Sequence, residues 1–309
     1  MSQLTEGVII SNLEVAPDCY RMEIRAGAVA EAARPGQFVH VRCLESLEPL
    51  LRRPLSICSA GRREERVTLL YRVAGRGTGL LARKRPGEAL SLLGPLGRGF
   101  TLPGEETRRA VPGASPNISP GPLEPVAAVG GGIGVAPLFF LLEELARRDC
   151  RVIVYIGAAS AGQLLLVNEI RALGHDVQIS TDDGSDGFRG FITDLFEEDL
   201  KQRPGGQRSI VGKSGANKTG KCNMKPGPDS RPLPGFVYAC GPVPMMRRVS
   251  GLASACGISC EVSLEERMGC GVGACLSCAC KIQDREGAVR YRRVCIDGPV
   301  FPAEEVVWL

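Results

Sequence analysis

Four cysteines near the C-terminus constrain this chain more than any other feature. Cys270, Cys275 and Cys278 stand in the run CGVGACLSC, and Cys295 follows after sixteen intervening residues. The spacing CxxxxCxxC plus a later cysteine is the plant-type pattern for a [2Fe–2S] cluster. Glycines between the cysteines let a short loop wrap a cluster with amide N–H groups turned toward sulfur, and four thiolates complete two tetrahedral irons. A structural zinc site is the competing reading, but zinc ribbons favour two paired CxxC knuckles and this chain has one. Cys280 lies two residues beyond Cys278 and breaks the spacing, so it is expected to be a neighbour rather than a ligand. Cys256 and Cys260 are expected to be small buried hydrophobes at a helix end and on a strand.

The rest of the cysteine usage points to a reducing compartment. Thirteen cysteines is an odd number, seven of them fall within forty residues, and the opening MSQLTEGVII has no basic region followed by an apolar core. A secreted disulfide scaffold is therefore disfavoured and a cytoplasmic location is expected. Lys plus Arg number 38 against 34 Asp plus Glu, so no nucleic-acid footprint is indicated. An aromatic content of 5% also argues against a base-stacking surface. With two histidines only, His40 and His175, histidine-based catalysis has little room.

A chain of 309 residues is expected to divide into two domains and a small third. Residues 1–101 carry six short β-rich runs (GVII, YRMEI, QFVHVR, PLSIC, VTLLYRV, ALSLL), which predict a small antiparallel barrel. Thr78 to Lys84 reads as a short helix entered from the turn GRGT. Residues 102–125, rich in Pro, Gly and Ser, read as a linker or inserted loop. From Val126 to residue 263 strands alternate with helices: VAAVG, a helix from Ala136 to Arg148, RVIVYIG, a helix around Leu164 to Ala172, DVQIS, ITDLFEEDL, FVYACG, a helix from Val243 to about Ala255, and ISCEVSL. That order predicts a parallel α/β sheet with ligands at the strand C-termini. A low-complexity insertion occupies 201–234; its GKSGANKTGK lacks GxxxxGK[ST] and a preceding strand, so no phosphate loop is expected there. Residues 264–309 form the cluster segment. The uncharged stretch Pro125–Leu142 is read as strand, glycine turn and helix start rather than a membrane span, because its glycines and prolines interrupt it.

Two further groups of residues carry chemistry. Arg53-Pro54-Leu55-Ser56 opens a barrel strand, followed by Leu70-Tyr71-Arg72 and Gly77-Thr78. An arginine can neutralise a pyrophosphate, a serine can hydrogen-bond a flavin ring, and an amide-rich turn can hold phosphate. Singly these signals are weak, and Tyr71 at strand spacing is more often a core residue. Gly131, Gly132 and Gly134 follow the strand VAAV and open a helix, which suits close approach of a dinucleotide pyrophosphate, although the run is not GxGxxG. Cys240-Gly241-Pro242 makes a similar turn at another strand end.

The order RPLS, YRV, GRGT, GGGIGVAPL, ACGPVPMM, LEERMGCGVGACLSCAC and VCIDGPVF resembles the electron-transfer subunits of type B dihydroorotate dehydrogenases, over nearly the whole chain apart from the two insertions. It is similar more broadly to ferredoxin–NADP reductases, which pair a flavin barrel with a nicotinamide-binding α/β domain. The resemblance implies FAD at Arg53, Pro54, Leu55, Ser56, Leu70, Tyr71, Arg72, Gly77 and Thr78. It implies a [2Fe–2S] cluster on Cys270, Cys275, Cys278 and Cys295, and NAD between Gly132 and the Cys240–Gly241 turn. NADH is expected over NADPH, since Gly157-Ala158-Ala159-Ser160 stands where NADPH-preferring reductases usually carry an arginine. The implied path runs from NADH to FAD as hydride, then singly through the cluster to an FMN-containing catalytic subunit that oxidises dihydroorotate to orotate in pyrimidine synthesis. The implied assembly is a heterotetramer of two copies of each subunit, with Glu265 to Phe301 at the interface. Two other assignments share part of this chemistry: a diaphorase subunit of a hydrogenase, glutamate synthase or ferredoxin-linked transhydrogenase, and a zinc-bearing assembly module with degenerate nucleotide sites.

Overall fold

The protein is described by a computed structural model covering residues 3–44, 48–104, 125–203, 232–284 and 286–308. Most of 102–125 and of 201–234, including GKSGANKTGK, lies outside the described residues.

The first six strands are β1 (Gln3–Ala16), β2 (Cys19–Arg25), β3 (Phe38–Val41), β4 (Arg53–Gly61), β5 (Arg66–Arg72) and β6 (Ala89–Leu96). They close into an antiparallel barrel in the order β1-β2-β5-β4-β3-β6, as the six β-rich runs predict. Alternation fills its interior: Met22 and Ile24, Val39 and Val41, Val67, Leu69 and Tyr71, and Leu90 and Leu92 all point inward. Two short helices join these strands. One is α1 (Gly27–Ala32), which buries Val29 and Ala30 against the barrel core and is too short to show a helical period in sequence. The other is α2 (Arg76–Ala82), which starts two residues earlier than the reading of Thr78 to Lys84 and so takes Gly77 and Thr78 into its first turn.

The second sheet comprises β7 (Val126–Gly131), β8 (Val152–Ala158), β9 (Asp176–Thr181), β10 (Phe188–Arg189), β11 (Phe236–Cys240), β12 (Ser259–Ser263) and a late strand, β15 (Val300–Pro302). Its order is β10-β9-β8-β7-β11-β12-β15, parallel except for the last pair. β7 is buried at every residue, with Val126 and Ala128 in one core and Ala127 and Val129 in the other, as a strand covered on both faces requires. On the first face lie α3 (Val135–Ala146) and α4 (Val167–Ala172); on the second lie α5 (Ile192–Gln202) and α6 (Val243–Ala255). Nine of the twelve residues of α3 are buried, because it packs on the sheet and also on barrel strand β4. Truncating a residue such as Leu138 to alanine there costs roughly 2–5 kcal/mol.

Other boundaries also differ from the sequence reading, α3 ending at Ala146 rather than Arg148. Leu164 to Leu166 precede α4 rather than belonging to it, since Leu166 takes a left-handed φ of 60° and stops a helix from running through it. α5 continues to Gln202, and the buried Arg203 after it donates to Asp199 through Nη2 at 2.6 Å, so the insertion begins later than residue 201.

The last residues form a hairpin of β13 (Ala279–Gln283) and β14 (Val289–Arg293), then β15. β15 joins β12 antiparallel through Glu261↔Pro302 and Ser263↔Val300. Backbone bonds run from the Arg98 amide to the Gly298 carbonyl and from the Leu264 amide to the Pro299 carbonyl, which fasten this segment to the barrel exit and to the sheet. Glu261 of β12 accepts from the Thr101 amide at 2.9 Å and from its hydroxyl at 2.7 Å, tying the barrel exit to the same strand.

Candidate functional site

The residues singled out from the sequence fall into three groups. In the first, Arg53, Pro54, Leu55 and Ser56 begin β4 and are each half-buried. The α2 turn lies over them, and a β-carbon built at Gly77 would stand 2.5 Å from the Arg53 Nε. Only glycine lets the guanidinium lie against this backbone. The Thr78 hydroxyl accepts from the Ala74 and Gly75 amides at 2.9 and 3.3 Å and holds the turn in shape. Space is open at Gly75, where a β-carbon would meet nothing within 4 Å. Exposed Arg76 follows Gly75 in sequence and pairs with Glu48 at 2.8 Å, and exposed Arg72 ends β5. An arginine-lined turn with open backbone suits the pyrophosphate of a dinucleotide, so these residues fit FAD. Leu70 points into the core shared with the α/β sheet, whereas the Tyr71 ring sits inside the barrel with its hydroxyl donating to Asn12 at 3.0 Å. Tyr71 therefore offers a ligand its backbone rather than its ring.

The second group lies at the C-terminal ends of two neighbouring parallel strands, since β7 and β11 pair through Gly130↔Cys240. A β-carbon at Gly134 would be 2.5 Å from the Cys240 carbonyl oxygen, and one at Gly131 would be 2.6 Å from the Met245 Sδ. The GGGIG and CGP turns thus interlock through absent side chains. Gly132 has φ +54° and would bring a β-carbon to 3.9 Å from an Arg72 Nη, which places this turn against the first group. Cys240 is fully buried and burial pushes its thiol well up, so it stays neutral. A crevice at such strand ends is where open α/β sheets take ligands, and it fits NAD. At the end of β8, after Gly157-Ala158-Ala159-Ser160, the Ala161 amide donates to Ser185 Oγ at 2.7 Å, and that hydroxyl donates to Asp183 at 2.6 Å. Those Ser185 bonds hold the Asp183 carboxyl below its ordinary range.

The third group is the cysteine loop. Cys270 Sγ accepts from the amides of Val272, Ala274 and Cys275 at 3.4, 3.3 and 3.4 Å, and Cys275 Sγ accepts from the Cys270 amide at 3.4 Å. Partial burial opposes ionisation, but these amides bring the Cys270 thiol down to about 6. Cys278 and Cys295 are buried side by side, and burial together with the Cys278 side chain pushes Cys295 up to about 12. Gly271 and Gly273 take φ of +73° and +80°, which turns the loop tightly enough to present its amides to one sulfur. The cysteines are thus grouped as Cys270 with Cys275 and Cys278 with Cys295. Among the described residues no three metal-ligating side chains converge on one ion. Pairs of thiolates with amide N–H groups turned toward sulfur are what two bridged irons require. The residues fit a [2Fe–2S] cluster. Cys280, on β13, is half-buried, and burial and Glu266 push it up to about 12.

Sequence reasoning passed over His40, on β3, whose ring is fully buried against the cysteine loop. Its place in QFVHVR, at the strand that pairs with RPLS, is the only sequence signal for it.

A flavin-type barrel, a nicotinamide-type sheet and a cysteine loop together define a reductase of the ferredoxin–NADP reductase plan with an iron–sulfur segment. Solved structures agree. The NADH-dependent reduced ferredoxin-NADP oxidoreductase superposes with a TM-score of 0.74 at 25% identity over 98% of this chain and 90% of that one. The ferredoxin NADP+ reductase from Neisseria gonorrhoeae with bound FAD and NADP gives 0.56 at 18% over 83% and 93%, a likeness of fold. Residues 265–307 match the family described as the iron-sulfur cluster binding domain of dihydroorotate dehydrogenase B. A relative from Desulforamulus reducens, named dihydroorotate dehydrogenase B (NAD(+)), electron transfer subunit, is 41% identical over 100% of both chains. One of the same name from Bacillus caldolyticus is 37% identical over 97% of this chain and 96% of its own. The chain belongs to the family of dihydroorotate dehydrogenase B electron transfer subunits.

Proposed function

We propose that this chain carries electrons between NAD and a catalytic partner that oxidises dihydroorotate to orotate in pyrimidine biosynthesis, using FAD and a [2Fe–2S] cluster. The observation that carries the reading is the pairing of Cys270 with Cys275 and of Cys278 with Cys295, beside a loop set on β3, the strand hydrogen-bonded to the Arg53–Ser56 segment. Bound FAD supplies conversion between two-electron and one-electron chemistry, and the cluster supplies one-electron carriage.

The chain's own residues supply binding and order. Arg53 and the Gly77–Thr78 turn would hold the flavin pyrophosphate, and Pro54, Leu55, Ser56, Leu70, Tyr71 and Arg72 would complete the FAD site. Gly131, Gly132, Gly134, Cys240 and Gly241 leave a backbone-lined slot for the nicotinamide cofactor. The Asp183–Ser185 pair beside Ala161 sets negative charge at the end of β8, which would disfavour the extra phosphate of NADPH and favour NADH. Cys270, Cys275, Cys278 and Cys295 bind the cluster, and the exposed Val272, Cys275 and Leu276 make this loop an accessible surface for the catalytic subunit. That subunit holds FMN, and the assembly contains two copies of each chain. Among the described residues no helix is long and apolar enough to cross a membrane.

The test is anaerobic co-purification of the chain with the dihydroorotate-oxidising subunit. One FAD, two irons and two sulfides per copy, with dihydroorotate-dependent NAD+ reduction only when both chains are present, is the expected result. Zinc in place of iron, or NAD+ reduction by the catalytic subunit alone, would overturn the assignment.

A further inference from the structure

His40 has no exposed surface, and neither ring nitrogen makes a well-formed hydrogen bond among the described residues, the backbone of Cys270 being the nearest polar group to act on the ring. A buried imidazole in this condition is uncommon, because polar groups removed from water are nearly always paired. The ring's surroundings indicate where the missing partner lies. On β3, Val39 and Val41 point into the barrel, so His40 faces outward, level with Pro54 of β4. Its Nδ1 edge meets the cysteine loop: a β-carbon at Gly271 would stand 2.6 Å from Nδ1 and 3.3 Å from Cε1. The left-handed glycine beside Cys270 therefore leaves room for this ring. Arg52 holds the strand beside it, donating to the His40 carbonyl at 3.3 Å and to the Ser91 carbonyl at 2.9 Å. In either protonation state the imidazole carries at least one N–H.

We propose that His40 is a positioning residue which, with the cluster in place, donates its ring N–H to sulfur at the Cys270–Gly271 turn and so fixes the cluster loop against the flavin barrel. This rests on the reading of Cys270, Cys275, Cys278 and Cys295 as cluster ligands. Sulfur at a cluster is electron-rich, and each hydrogen bond to it stabilises the reduced state and raises the potential. The same ring lies on the strand paired to Arg53–Ser56, so it joins the two redox sites of the chain.

The chain has only two histidines, which makes the test selective. The complex is prepared with 15N-histidine, reduced, and studied by electron spin-echo modulation on the cluster signal. A weakly coupled 15N that persists in His175→Gln is the expected result. His40→Phe, which keeps a ring but no donor, is expected to lose the coupling and shift the cluster to lower potential while FAD keeps its own; His40→Asn, which restores a donor, is expected to recover part of the shift. A normal [2Fe–2S] signal without 15N coupling, or an unchanged potential in His40→Phe, would overturn the role of His40. Absence of any [2Fe–2S] signal would instead overturn the ligand assignment and the inference with it. Should His40→Phe fail to assemble, the labelled native complex decides alone.

Discussion

Gly77 and Arg53 occupy one another's space: the guanidinium lies where a β-carbon at 77 would be, 2.5 Å from its Nε. Gly77→Ala must therefore push Arg53 off the turn. If Arg53 holds the flavin pyrophosphate, a charge-assisted bond worth about 1.5–3 kcal/mol is lost. FAD affinity then falls roughly 10–100-fold, measurable by fluorescence titration of the flavin-free protein. Unaltered FAD binding in Gly77→Ala would remove Arg53 from the site.

Gly134 and the Cys240 carbonyl make the corresponding contact in the α/β sheet. The backbone of Gly134 is helical, so alanine meets no conformational barrier there and the whole effect is steric. Gly134→Ala is expected to part the two turns at an overpacking cost of about 1–3 kcal/mol. A lower melting temperature and a raised KM for NADH, with the spectrum of bound flavin unchanged, are the combined signature.

The cysteine assignment separates near neighbours. Cys278→Ser is expected to lose iron and acid-labile sulfide together, whereas Cys280→Ser keeps both, since Cys280 stands outside the two pairs. Metal and sulfide analysis of the two variants decides it. A cluster that survives Cys278→Ser and not Cys280→Ser would reverse the ligand set.

His175 sets a pH dependence. Its Nδ1 accepts from the Val152 amide at 3.3 Å, which leaves the proton on Nε2 for the Leu142 carbonyl at 2.9 Å. Burial lowers its pKa below the ordinary 6.5, so the unfolded chain binds a proton that the folded chain refuses. The stabilisation is complete above 6.5 and drains away as pH falls below it. The urea midpoint is expected to drop between about pH 7.5 and about pH 5.5, and by less in His175→Gln. Equal slopes in the two proteins would show that His175 titrates freely in the fold.

Legibility in the sequence followed the range of the forces involved. The six barrel strands, β7, β11 and α6 could be read because apolar alternation, buried runs and the Pro242 stop are local signals. α1 could not, because six residues of GAVAEA carry no period and its burial depends on the barrel above it. Leu166 looked helical because nothing in a leucine announces a left-handed φ. β15 is three residues long and pairs with β12 nearly forty residues earlier, a partnership that packing decides. The cysteine spacing was legible because cluster geometry dictates it. The place of His40 was not, since only the assembled barrel decides which of two strand faces a side chain takes.

The fastening of the last residues has a dynamic consequence. β15 is sewn onto β12, while Gly298 and Pro299 are bonded to Arg98 and Leu264. A cluster held this way is a fixed relay and not a tethered carrier that swings between docking stations. Turnover in the complex should accordingly be indifferent to added viscogen.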